Sequence, residues 1–158
     1  MNIFIVDKHP GAAAKMLCDK HIVKMPLETA QMLCSVWHRY GFGNKVKYKE
    51  AHKNHPCTLW AGDSEDNYGW LLQHGMELGE EYTRRYNKTH ASHTVIKELS
   101  YTPFSFGAKD HTPHPQCMPD EYKVEGDAVS AYRNYYIGGK SKIAKWNKSR
   151  QEPEWFAK

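Results

Sequence analysis

Asp19-Lys20-His21-Ile22-Val23-Lys24-Met25-Pro26-Leu27-Glu28-Thr29-Ala30-Gln31 is the stretch from which the rest of the chain can be read. At about 100° per residue, Ile22, Val23, Leu27, Ala30, Leu33 and Trp37 fall on one side of a helix. This periodicity predicts a long first helix from about Ala12 to Tyr40, stopped by Gly41-Phe42-Gly43-Asn44. Pro26 predicts a kink or a restart in its middle. His21, Lys24, Glu28 and Gln31 share one quadrant, roughly opposite the apolar stripe. A titratable base, an amine, a carboxylate and an amide in one row suit catalysis: lysine as nucleophile, glutamate as general acid or base, histidine as assistant. Gln31 in the row and Lys20 beside it are ligand-binding candidates. The plainer alternative is a solvated face with i,i+4 pairs.

Outward from this helix, a basic loop, Lys45-Val46-Lys47-Tyr48-Lys49, leads into His52-Lys53-Asn54-His55-Pro56. Pro56 holds His55 extended, so Asn54 and His55 are either binding groups fixed on a loop or caps of the next helix. A second helix is expected from near Asp63, with an acidic start and a basic end at Arg84-Arg85. Gly75 and Gly79 within it predict close approach of a neighbouring helix. Tyr82, Arg85 and Tyr86 at its end form a candidate wall for a phosphate and a base. A short helix should follow Ser92, then an irregular ordered loop from Thr102 to Glu121, then a last helix from Asp127 to Gly138-Gly139. Tyr122, Tyr132, Arg133 and Tyr136 are weaker binding candidates of the same kind. Residues 140–158 form a basic, aromatic tail.

The 158 residues, 40% hydrophobic and 25% charged, fit one globular domain. The expected fold is mainly α: three main helices, a short N-terminal strand at Met1–Asp7 and long ordered loops. No apolar run spans a membrane, and Asp7 comes too soon for a signal peptide, so a cytoplasmic protein is expected. Cys18, Cys34, Cys57 and Cys117 read as reduced thiols without closely paired zinc-type spacing. Three HxxH pairs (His52/His55, His90/His93 and His111/His114) would support a metal-dependent hydrolase only if they converged. No HExxH accompanies them, so neither a metal nor a cofactor is expected. The net charge of +4, ten tyrosines and five tryptophans favour an anionic partner with stackable bases, either DNA or a small nucleotide.

Met1-Asn2-Ile3-Phe4 with His9-Pro10, the Lys24/Pro26/Glu28 helix, and Tyr48 followed by Asn54-His55-Pro56 together resemble the pyrimidine-dimer DNA glycosylases of the endonuclease V type. The resemblance covers about the first half of the chain. It implies a compact three-helix fold and an N-glycosylase/lyase-like activity. The chain is also similar over nearly its whole length to phage proteins. They share Cys18-Asp19-Lys20-His21, Lys24-Met25, Glu28, Met118-Pro119-Asp120-Glu121-Tyr122 and Tyr132-Arg133-Asn134-Tyr135-Tyr136. That likeness implies a phage-infected host and no particular activity. Glycosylases of this family attack with the amine of a small residue exposed by loss of the initiator methionine, whereas Asn2 is bulky enough to retain Met1. A gapless match also sets the family glutamate nearer Lys24 than Glu28. The amine-plus-glutamate chemistry is therefore absent, relocated to Lys24 with Glu28, or replaced by binding alone. The other reading is a binder or cleaver of a small nucleotide signal, of use to a phage against host defence.

Overall fold

In the computed structural model, which describes residues 1–156, six α-helices follow one another: α1 (Pro10–Met16), α2 (Asp19–Arg39), α3 (Pro56–Asp63), α4 (Glu65–Tyr86), α5 (Ala91–Glu98) and α6 (Ala128–Gly139). The protein is mainly helical, and α2, α4 and α6 are the three longest helices. The expected N-terminal strand does not form: residues 1–6 run as a buried segment paired with no strand. No helix among the described residues is long and apolar enough to cross a membrane.

Histidine starts three of the helices. His9, His55 and His90 stand at N-cap positions, and the ring Nδ1 of each accepts a backbone N–H two residues on, from Gly11, Cys57 and Ser92. Pro10 and Pro56 follow in the first helical position, where the missing N–H costs nothing. Ser64 and Asp127 cap α4 and α6 in the usual way. Asn87 closes α4 in the left-handed conformation at φ 54°.

The predicted first helix is broken in two. Leu17 and Cys18 are extended, although nothing in their local sequence demands it. Arg85 on α4 supplies the reason. Its guanidinium donates to the carbonyls of Leu17 (2.8 Å) and Lys15 (2.9 Å) and pairs with Asp19 at 3.1 Å. One cation thus satisfies the carbonyl end of α1 and fixes the acidic first residue of α2. Downstream, α2 runs unbroken through Pro26. A further helix, α3, forms where the sequence suggested a loop, started by the His55 cap.

The packing centres on α4, which contacts α1, α2, α3 and α5. Gly75 lies against Thr29 of α2, where an added Cβ would stand 2.8 Å from Thr29 Cγ2, as the predicted close approach requires. The tail packs across the α1–α2 junction. Trp146 donates to the Met16 carbonyl, Asn147 N–H to Asp19, and Arg150 forms a two-pronged contact with Glu81. Trp155 stacks on Tyr136 at 5.8 Å. The last two residues of the predicted tail lie outside the described residues.

Candidate active site

The orientation of α2 differs from the expectation in a way that matters for chemistry. Val23 and Leu27, assigned to the inward stripe, are 45% and 41% exposed, whereas His21 and Glu28 of the polar quadrant are 5% and 8% exposed. The helix is rolled so that Glu28 points inward while Lys20 and Lys24 remain outside. A carboxylate so placed must find donors. It finds them at the start of the chain: Oε1 lies 3.3 Å from the Met1 α-amine and accepts the Asn2 N–H at 3.0 Å. Oε2 faces Lys24 Nζ at 3.7 Å.

Asn2 holds this start in place with every polar atom of its side chain. Its Oδ1 accepts from the Tyr132 hydroxyl at 2.7 Å and from the Ile3 N–H at 2.8 Å, and its Nδ2 donates to the Cys117 carbonyl at 2.9 Å. The Tyr132 hydroxyl in turn accepts the Cys117 N–H. Two residues later Phe4 takes φ 60°, a strained setting for a bulky side chain. Its ring is stacked on His21 at 4.2 Å and on Tyr136 at 5.7 Å, contacts that offset the strain. The segment is therefore anchored on both sides of the amine-bearing end.

The other sequence candidates divide. His55 reaches the same region: burial lowers its pKa, helped by the positive N-terminus and His52, while Glu28 opposes the shift. Its Nδ1 is the α3 cap, so its first role is structural. Asn54 lies instead in a pocket of about 340 Å³ with Arg39, Glu50 and Thr58. His21, expected to assist catalysis, is a core residue. Its Nδ1 meets the Tyr136 hydroxyl, and burial, with Lys140 and Lys24 nearby, pulls its pKa down to about 3. A neutral, stacked ring suits packing better than proton transfer. The Arg85 side chain is buried, and four of its five N–H donors go to Glu81, Asp19 and two carbonyls, which leaves no accessible donor for a phosphate. Arg133 donates to the Val6 carbonyl and lies over Trp155. Tyr122 packs against Gly138 and Tyr135. Tyr82 and Tyr86 stack on each other, the Tyr86 hydroxyl directed at the Asp19 carbonyl. Gln31 is partly exposed on α2.

The HxxH pairs do not converge. His111 and His114 meet through their Nε2 atoms at 3.2 Å beside Trp60, His90 caps α5 and touches the Val23 carbonyl, and His52 is exposed. Sequence reasoning missed Asn2, read only for its size, and read Tyr132 as a weak candidate for a phosphate or a base, not as the group that holds Asn2 and Cys117.

The site is thus a buried helical carboxylate paired with the amine of residue 1. Residues 1–94, more than half of the 158, match the family model described as pyrimidine dimer DNA glycosylase, and the chain belongs to that family. A DNA glycosylase-like function, with DNA as partner, follows at the level of the family. No curated protein and no solved structure matches the chain.

Proposed function

We propose that the protein is a DNA N-glycosylase with lyase activity on pyrimidine-dimer DNA, and that the N-terminal amine, not Lys24, is its nucleophile. The observation that carries this reading is the 3.3 Å approach of the Met1 amine to Glu28 Oε1. If Met1 is excised, the Asn2 nitrogen, 3.0 Å from the same oxygen, takes the role. As a class, α-amines titrate at about 7.7–8.0 and lysines at about 10.4, so an α-amine is the readier nucleophile near neutral pH. Lys24 is 70% exposed and suits contact with a phosphate beside the site, with Lys20 and Gln31 on the same helix.

The protons balance through Glu28. The ammonium gives one proton to the carboxylate, and the free amine attacks the sugar C1′. The C1′–N bond breaks, and the base takes the bonding pair and the second amine proton while the dimer ring keeps it joined to the neighbouring base. Glu28 then returns its proton to O4′ as the C1′–O4′ bond opens, leaving a protonated Schiff base. The damaged nucleotide must leave the stack to be reached, which costs a few kcal/mol and favours an already distorted site.

Borohydride reduction on duplex DNA carrying one pyrimidine dimer tests the proposal. The expected result is a covalent adduct that maps to the first residue, persists in Lys24→Ala and disappears when the N-terminus is extended. An adduct on Lys24 would overturn the choice of nucleophile. An intact glycosidic bond, read as no free base after photoreversal of the dimer, together with formation of no adduct would overturn the activity.

A further inference from the structure

Beside this site, His55, Cys57 and Cys117 bring one ligating atom each to within 4.8 Å of one another, the one such group of three that the described residues form around histidine and cysteine. We propose that these three side chains form a binding site for a thiophilic divalent cation of the Zn²⁺ type.

The spacing of the sulfurs is the first support. Cys57 Sγ and Cys117 Sγ are 3.7 Å apart. Two thiolates on a tetrahedral zinc ion, each at about 2.3 Å, stand about 3.8 Å apart, so an ion fits between them without moving either sulfur. The scaffold is the second. His55 and Cys57 flank Pro56 at the rigid start of α3, and Cys117 is pinned by Asn2 and Tyr132 through its own carbonyl and N–H. The two sulfurs are thus set by packed elements before an ion arrives, with His55 beside them. Access is the third: Cys57 is buried, but His55 and Cys117 are only partly so.

The local arrangement agrees, since the two sulfurs already share a hydrogen-bonded proton whose place a cation would take. The nearby cations already have carboxylate partners, Lys123 with Asp120 at 2.9 Å and the Met1 amine with Glu28. His55 Nδ1 now accepts the Cys57 N–H, so binding through that atom exchanges a helix cap for a metal bond. His55 is accordingly the weakest ligand. Three protein ligands leave the fourth position of a tetrahedral ion to water or an incoming group.

Titration of the reduced, full-length protein with Co²⁺ tests the site apart from any glycosylase activity. The expected result is one equivalent bound with a thiolate-to-metal charge-transfer band, displaced by Zn²⁺. Cys57→Ser and Cys117→Ser should each abolish the band, and His55→Ala should weaken affinity about tenfold or more. Because Cys57 lies in the core, Cys117→Ser, at a partly exposed position, guards against loss of the band through misfolding, with circular dichroism as the check. Absence of the band in the reduced protein, or a band that survives Cys117→Ser, overturns the proposal. So does a reduced protein that takes up no metal but readily closes a Cys57–Cys117 disulfide.

Discussion

Asn2 and Tyr132 are joined by a 2.7 Å hydrogen bond across 130 positions of the chain, and that bond sets where the amino terminus lies relative to Glu28. The last helix thereby positions the first residue. Tyr132→Phe removes the donor to Asn2 Oδ1 and orphans the Cys117 N–H. The expected outcome is a folded protein destabilised by about 1–3 kcal/mol in urea titration, with slower Schiff-base trapping. Unchanged trapping would detach Tyr132 from the site.

Glu28→Gln keeps an acceptor for the Asn2 N–H but removes the charge and the proton carrier. Single-turnover cleavage of the dimer's glycosidic bond should fall about 10²- to 10⁴-fold, the usual range for a general acid–base group. The circular dichroism spectrum should be unaltered. A variant that retains full activity would leave Glu28 a structural anchor only.

Arg85 makes the opposite prediction, because it is spent on the fold. Arg85→Ala leaves Glu81 without its i,i+4 partner and frees the carbonyls of Lys15 and Leu17. A loss of about 3–5 kcal/mol in unfolding free energy is expected. Arg85→Lys should recover little of it, since one ammonium cannot span the four acceptors. A stable Arg85→Ala protein that merely bound DNA less well would restore the binding role read from sequence.

Three histidines, His21 and His74 buried and His114 half-buried, predict acid lability. Burial holds His21 and His114 at about 3 and His74 at about 4, below the ordinary 6.5. Between those values the unfolded chain binds more protons than the folded one, so stability rises with pH. It is complete above about pH 6.5 and is lost progressively toward about pH 3. Urea midpoints measured across that window check this. His74→Gln, which keeps a donor toward the Pro10 carbonyl, should flatten part of the slope. A flat profile in the parent protein would contradict neutral burial.

Salt separates the two partners that the sequence suggested. Affinity for duplex DNA should fall about tenfold or more as salt rises from low to physiological levels, through release of counterions. A mononucleotide in a closed pocket would respond little. Fluorescence anisotropy with a labelled duplex makes the measurement.

Local pattern alone determined that the protein is mainly helical, where α4, α5 and α6 lie, and that Glu28 stands on the first long helix. Caps, glycines and apolar spacing act over a few residues, and a sequence displays them directly. The roll of α2 was not legible. Val23 and Leu27 look inward by hydrophobicity, yet Glu28 goes in because an amine, an N–H and a lysine wait for it, and the first two belong to residues 26 or more positions away. Arg85 looked like a phosphate ligand because α1 and α2, whose ends it joins, are 66 to 70 positions distant. Burial and ion pairing depend on which partners the folded chain brings together, and so only the tertiary structure decided which ionisable groups serve the fold and which face the site.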